Sequence, residues 1–435
     1  MLYFYKLFLS LLYMITRLQS KIYRLLKLSE KYFKTDMVYL VKGGSWLTLG
    51  QIVSTISGFT LAIAFANLLS AETYGSYKYI LSILSLASIT ALPPMNAAVT
   101  RASAQNKDKT LIEGMMTKIK WGVLGSLGLL SIGIYYLIQD NTTLGITLLI
   151  SAFFLPLFES FQIYQAFLQG KKRFSTNTKY FIVSKIIYSL LIVLTIFLTK
   201  SLIIIIAIYL LINTILPGYF FYQTYKQYKT QIKDSPSTDT SAYGKFLTSF
   251  SILSFIAGKI DNFLIFQYVG PANLAIYSFA KTPVNQLSSM SKNLRSLALP
   301  KFAEQSLEQT YKSITTKLKN MYLIVIIIII LYILLSPFIY KIFFPQYISS
   351  IFFSQLYVLT LLSAPINFVG EALKAHKRTK ELAWLAMTLP VVKLGLLITL
   401  GYFYGIIGVI ITFIGEAFIT SIANLIVLQK IKKTF

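Results

Sequence analysis

Apolar residues run along this chain in blocks of about 20, the length a helix needs to cross a bilayer core about 30 Å thick. The blocks fall near 46–69, 77–99, 119–138, 144–168, 180–198, 201–222, 246–268, 273–298, 321–344, 350–372, 381–400 and 405–428. They predict an all-α integral membrane protein of about 12 transmembrane helices. Glycines in "GVLGSLGLLSIG" mark the third block as a place where helix backbones approach closely. The most polar interior stretch, 223–245 with "DSPSTDTS", divides the blocks evenly and reads as a linker. The expected organisation is a basic segment 1–44, a lobe 45–222 holding helices 1–6, the linker 223–245, and a lobe 246–435 holding helices 7–12 and a short basic tail. A short internal match supports two related lobes: "LLSAETYGSYKY" at 68–79 and "YVGPANLAIYSF" at 268–279 each join the first two helices of a lobe.

Composition agrees with the pattern. Of 435 residues, 55% are hydrophobic and 15% aromatic, and the mean hydropathy is +0.65. Lysine and arginine outnumber acids by 41 to 15, a formal net charge of +26. Most of those cations fall in the N-terminal segment, in alternate loops such as "GKKRFSTNTK" and "KAHKRTK", and in the tail "QKIKKTF". Short cytoplasmic loops collect basic residues, so both termini are expected in the cytoplasm, and Lys78, Lys200 and Lys341 on the opposite side. Such charges set topology and touch anionic lipid, so nucleic acid is not implied as a partner. Arg17, Lys21, Arg24, Lys27, Lys31 and Lys34 recur at helical spacing, which predicts an interfacial helix on the cytoplasmic leaflet. With no cysteine and one histidine, disulfide, thiolate, haem and zinc chemistry are excluded. His376, in "KAHKRTKE", is expected to be a solvated loop residue.

Ionisable residues inside a bilayer cost several kcal/mol unless paired or hydrated, so each is a functional candidate. The deep ones are Glu159, Lys185, Lys259, Asp261, Lys281, Lys292, Arg295, Glu371, Lys393 and Glu416. Depth counted at about 1.5 Å per residue brings Asp261 level with Lys281, and Lys393 level with Glu416. Glu159 and Lys185 share the cytoplasmic half, and Glu371 sits beside Lys374. That leaves Lys259, Lys292 and Arg295 without anions, all on helices 7 and 8. Lys292 and Arg295 are also long enough to reach headgroups. Helix 8 is polar throughout, "SFAKTPVNQLSSMSKNLRS", and its Asn285, Gln286 and serines suit sugars or water. In helix 2, "ALPPMNAAVTR" breaks at Pro93-Pro94, with Arg101 at the cytoplasmic mouth. Helices 1, 2, 7 and 8 are therefore expected to wall a wet cavity.

The passages "GGSWLTLGQIVSTISGFTLAIAFANLLSAETYGSYKYILSI", "FLQGKKRFS" and "KIDNFLIFQYVGPANLAIYSFA" resemble those of bacterial polysaccharide-export flippases of the Wzx type, in the MOP superfamily. The resemblance implies a multi-pass carrier in the bacterial cytoplasmic (inner) membrane. It would move an undecaprenyl-pyrophosphate-linked oligosaccharide repeat outward by alternating access. By the same resemblance Arg101, Lys259, Lys281, Lys292 and Arg295 become candidates for the pyrophosphate, with Asn285 beside them, and Asp261 and Glu416 for a coupling proton or sodium ion. Lipid-linked oligosaccharide, membrane lipids and polysaccharide polymerase machinery are the implied partners; no cofactor and no enzymatic step are expected. A multidrug extruder of the same superfamily would want buried carboxylates or an aromatic cage for cationic cargo. A polymerase or glycosyltransferase would want a sizeable external loop or a D-x-D motif, and a channel would want a filter.

Overall fold

The computed structural model describes residues 37–235, 240–376 and 378–432. The expected interfacial helix of the basic segment lies outside the described residues. Within them the chain is helical, with no strand. This suits a medium in which every backbone polar group must be satisfied within its own segment.

Helix α1, Met37–Leu68, leads through a two-residue turn into α2, Ala71–Ala87. Ser70 caps α2 by accepting from the Thr73 amide at 3.2 Å. After a 3-10 turn, Ser88–Ala91, Leu92 adopts a left-handed conformation (φ 54°), and the chain re-enters as α3, Met95–Ala104. Pro93 and Pro94 offer no amide to the ladder, and the two pieces meet at a bend of 48°. Helices α4, Thr110–Ile138, and α5, Thr142–Phe161, pack closely along glycines of α4, with the short α6, Ile163–Gly170, continuing the span. Helices α7, Phe174–Leu198, and α8, Leu202–Asp234, follow.

Beyond residues 236–239 come α9, Thr240–Ala257, α10, Ile260–Val269, α11, Pro271–Glu304, and α12, Leu307–Phe343. A capping box between Ser306 and Gln309 starts α12. The chain ends with α13, Ser350–Tyr357, α14, Phe368–Ala375, and α15, Thr379–Lys432.

Among the described residues nine stretches are long and apolar enough to span a membrane, and the bent α2–α3 pair makes a tenth. The expected twelve are reached because two elements escape that criterion. Helix α11 is long enough but too polar, for reasons that emerge at the site. Helix α15 holds two spans: Gly405 has a non-helical, positive φ of 55°, and the chain doubles back there. A Cβ on Gly408 would overlap the carbonyl of Leu400, and Lys393 reaches Glu416 across the hairpin at 2.8 Å.

The largest buried cluster draws on both halves of the chain, from Phe65, Tyr77, Leu148 and Ile206 to Leu274, Tyr277, Tyr340 and Val409. Its closest approach is between α2 and α11. A Cβ on Gly75 would overlap the carbonyl of Pro271, so only glycine permits this packing. The two matched sequence passages thus meet each other in space, each opening a helix: Ser70 precedes α2 and Gly270 precedes α11.

Candidate functional site

Directly beside this approach the helices carry polar groups. One turn after Tyr74, α2 presents Lys78, then Ser82 and Ser85. The break between α9 and α10 presents Gly258, Lys259, Asp261 and Asn262, and α11 presents Lys281, Asn285, Ser288 and Lys292. These residues line a cavity of about 470 Å³, with Leu81, Tyr357 and Phe413 completing its wall. Among the described residues four lysines face one aspartate.

That aspartate is buried, at 3% exposure. One of its oxygens, Oδ2, accepts the Tyr277 hydroxyl at 2.7 Å and also the Lys281 ammonium. Position 261 lies in the first turn of α10, where the helix dipole favours a carboxylate. Lys281 also lies over the rings of Tyr277, Phe413 and Tyr357, at 4.6, 4.9 and 5.8 Å from their centroids. Lys393 approaches Phe413 to 4.2 Å, so two lysines share that ring. The remaining cations differ in footing. Lys259 and Lys292 are exposed to the cavity, and Lys78 is half-buried, 5.3 Å from the Tyr74 ring.

Toward the α1–α2 and α10–α11 turns the cavity is sealed by aromatic side chains. Tyr74 stacks on Phe279 at 4.6 Å, and Phe279 packs against Tyr347 at 4.1 Å and Phe344 at 5.4 Å; all four are buried. Lys78 follows Tyr74 by one turn and Lys281 follows Phe279 by two residues, so both lie next to this seal. At the other end Asn285 and Lys292 are exposed.

The sequence candidates separate into groups. Lys259, Asp261, Lys281, Asn285 and Lys292 come together in the cavity. Arg101 lines a different cavity, between α3 and α9. Arg295 does not line the central cavity and interacts with Glu371. Glu416 is paired with Lys393 in a groove formed by Leu389, Val392, Leu396 and Ile419. Among the described residues helix α1, expected as a wall, supplies none of the lining, which comes instead from α2, the α9–α10 break, α10, α11, α13 and the α15 hairpin.

Other residues depart from the sequence reading. Lys78 was assigned by the charge count to the outer face, yet it enters the cavity; counting loops cannot tell a helix-end lysine that snorkels outward from one that turns in. Depth places Glu159 and Lys185 in the same half of the bilayer, and the ionic partner that Glu159 finds is Lys118, at 3.7 Å. Lys118 is 1% exposed and also reaches Asn96 Oδ1 at 3.5 Å; its helix starts at Thr110, ahead of the apolar block at 119–138, which places this lysine inside the bundle. His376 is half-buried rather than solvated, with its Nε2 at 3.1 Å from Thr310 Oγ1. Burial there holds its pKa below the ordinary histidine value.

Among the described residues no group of His, Cys, Asp and Glu side chains is placed to hold a metal ion. The chain matches the family model described as polysaccharide biosynthesis protein over residues 40–304. No curated protein matches it in sequence. Among solved structures it is similar to the lipid II flippase MurJ in an inward closed conformation (TM-score 0.66, 16% identity, 88% of this chain and 87% of that one). It is also similar to an inward-facing multidrug resistance MATE family transporter of the MOP superfamily (0.63, 14%, 88% and 96%). A third likeness is to a MOP superfamily transporter from Pyrococcus furiosus described as having a binding pocket of reverse polarity that suggests a different function (0.59, 14%, 91% and 96%). At these identities the likeness is one of fold.

Proposed function

Since the chain belongs to the polysaccharide biosynthesis protein family and has the multi-pass MOP fold, we propose that it is a flippase for an undecaprenyl-pyrophosphate-linked oligosaccharide repeat. The observation that carries this reading is the charge of the central cavity: four lysines against a single aspartate that already serves one of them. A cavity with that excess of cations favours an anion, and a pyrophosphate is too charged to cross hydrocarbon unaided. Lys78, Lys259 and Lys292 are the charges left for it, with Lys281 available once its bond to Asp261 exchanges. Asn262, Asn285, Ser82, Ser85 and Ser288 supply the hydrogen bonds that sugar hydroxyls need. The polyprenyl chain stays in lipid throughout, and translocation as such requires no bond to be made or broken.

The two halves contribute unequally. Lys78 is the only lining cation from α2, while α9–α11 bring the other three, so an anion held between them draws the halves together. The Tyr74–Phe279 seal closes one end of the cavity, which supports alternating access: the seal must part before cargo leaves on that side. With the termini in the cytoplasm, the sealed end faces outward and the cargo enters from the cytoplasmic leaflet. Asp261 is the candidate for ion coupling, because a proton on it would cancel the charge that holds Lys281. Glu416 is a weaker one, since it is held by Lys393 behind the Phe413 wall and is not among the lining residues. A multidrug extruder shares the fold, but the cation excess argues against cationic cargo.

The test is reconstitution of the full chain in liposomes with a fluorescent undecaprenyl-pyrophosphate-linked oligosaccharide, read as loss of fluorescence to an external quencher. Protein-dependent movement between leaflets that Lys259→Ala slows at least tenfold is the expected result. Equal movement in protein-free liposomes, or export of lipophilic cations instead, overturns the proposal.

A further inference from the structure

The cavity at the far end of α3 is not part of the central site. It measures about 260 Å³ and is lined by Arg101, Gln105 and Lys107 from one half of the chain and by Thr240 and Tyr243 from the other, over Ala98 and Ala102. The chain builds it by reversing on itself. Asn106 adopts a left-handed φ of 59°, and the Lys107 amide returns to the Ala102 carbonyl at 3.0 Å, which brings Lys107 back beside the last turn of α3. The same turn satisfies the end of the helix: Ala102 and Ser103 carbonyls accept the Lys107 and Asn106 amides, so their negative ends are already engaged.

The nearest acid in that loop is not available to these cations. Asp108 is buried and bound to Lys171 at 2.6 Å. Arg101 instead lies over the Tyr243 ring at 5.1 Å from its centroid, a contact that joins α3 to α9. The neighbouring hydrogen bonds hold α9 in position: Thr110 Oγ1 to Thr240 Oγ1 at 2.9 Å, and Thr117 Oγ1 to Ser241 Oγ at 3.2 Å. Among the described residues that line this cavity there are two cations, an amide and a phenol, and no carboxylate. A guanidinium offers a fork of donors, an ammonium a point charge, and the amide and phenol further donors. Together they match the oxygens of a phosphate.

We propose that this cavity is a second anion site that binds a phosphate group other than that of the cargo, and so ties α3 to α9 where the two halves meet. The chemistry is a negatively charged phosphate, reached either on an anionic phospholipid headgroup or as free phosphate. The site is independent of the central cavity, with which it shares no residue, so it stands whether or not the flippase reading does.

The test uses purified full-length protein in detergent and native mass spectrometry. Dioleoylphosphatidylglycerol is titrated against dioleoylphosphatidylcholine, and inorganic phosphate is added in a separate arm. Wild type and Lys259→Ala, which alters only the central cavity, are expected to retain one more phosphatidylglycerol than phosphatidylcholine, and Arg101→Ala and Lys107→Ala to bind it at least fivefold more weakly. Arg101→Lys, which keeps the charge, should weaken it less and guards against misfolding as the cause. Displacement of the retained lipid by millimolar phosphate, or phosphate binding without lipid that Arg101→Ala removes, assigns the site to free phosphate and upholds it. Equal binding by wild type and Arg101→Ala in every arm overturns the proposal.

Discussion

Asp261 and Lys281, 20 residues apart in sequence, form an ion pair across the α10–α11 turn, and Tyr277 donates to the same carboxylate oxygen. Their lobes of charge are unequal in exposure: the Asp261 side chain is 4% exposed and that of Lys281 16%. Removing the lysine strands a buried anion, which costs about 3–5 kcal/mol. Lys281→Ala is therefore expected to lose both transport and stability, seen as a lower Tm in detergent. Lys281→Met combined with Asp261→Asn should recover most of the Tm and none of the transport. A double variant that transports normally would remove the pair from the mechanism.

Lys259 tests the anion site more cleanly, because it is exposed to the cavity and outside the Asp261 hydrogen bonds. Lys259→Ala should leave Tm within about 1 °C of wild type, as expected of a surface-like substitution. Transport should fall at least tenfold. Lys78→Ala should behave similarly, and Lys78→Arg should retain part of the activity. Wild-type rates in both alanine variants would end the assignment.

Gly75 faces the carbonyl of Pro271 with no room for a side chain. Gly75→Val is expected to force α2 away from α11 and loosen the Tyr74–Phe279 seal. The chain has no cysteine, so a single cysteine placed at Ser82, on the cavity wall, reports access by itself. Its labelling by a membrane-impermeant thiol reagent from the sealed side should rise several-fold in the Gly75→Val background. Unchanged labelling would mean that the seal does not depend on this contact.

Lys118 is fully buried, and Glu159 is its only ionic partner among the described residues. Glu159→Gln leaves that ammonium uncompensated, at a cost of about 3–5 kcal/mol. The Tm should drop clearly, and Lys118→Met in the same chain should restore much of it. If Glu159→Gln alone is neutral, the pair contributes nothing to the first half of the chain.

Burial depresses the pKa of His376 below its ordinary value near 6.5. The folded state then binds the proton less readily than the unfolded chain, so stability is full above about pH 6.5 and declines as the pH falls below it. The Tm should decrease between pH 7.5 and 5.5, and His376→Gln should flatten that slope. An identical slope in the variant would assign the pH dependence to other groups.

The order of elements was legible in the sequence because apolar length and loop charge are local quantities. The bilayer dictates about 20 apolar residues per span whatever the helix packs against, and the Pro93-Pro94 break and the polar α11 announce themselves residue by residue. Depth counting even matched Asp261 with Lys281 and Lys393 with Glu416, since a short hairpin turn fixes which residues of adjacent spans lie level. What needed the tertiary structure was everything that depends on how a helix is rotated and which non-adjacent helix it meets. Rotation of α2 turns Lys78 inward, the start of α4 before its apolar block hides Lys118 beside Glu159, and the meeting of α3 with α9 carries Arg101 away from the cavity it was expected to serve. Hydropathy depends on the identity of a residue, whereas these placements depend on helix azimuth and on partners far along the chain, and a one-dimensional pattern contains neither.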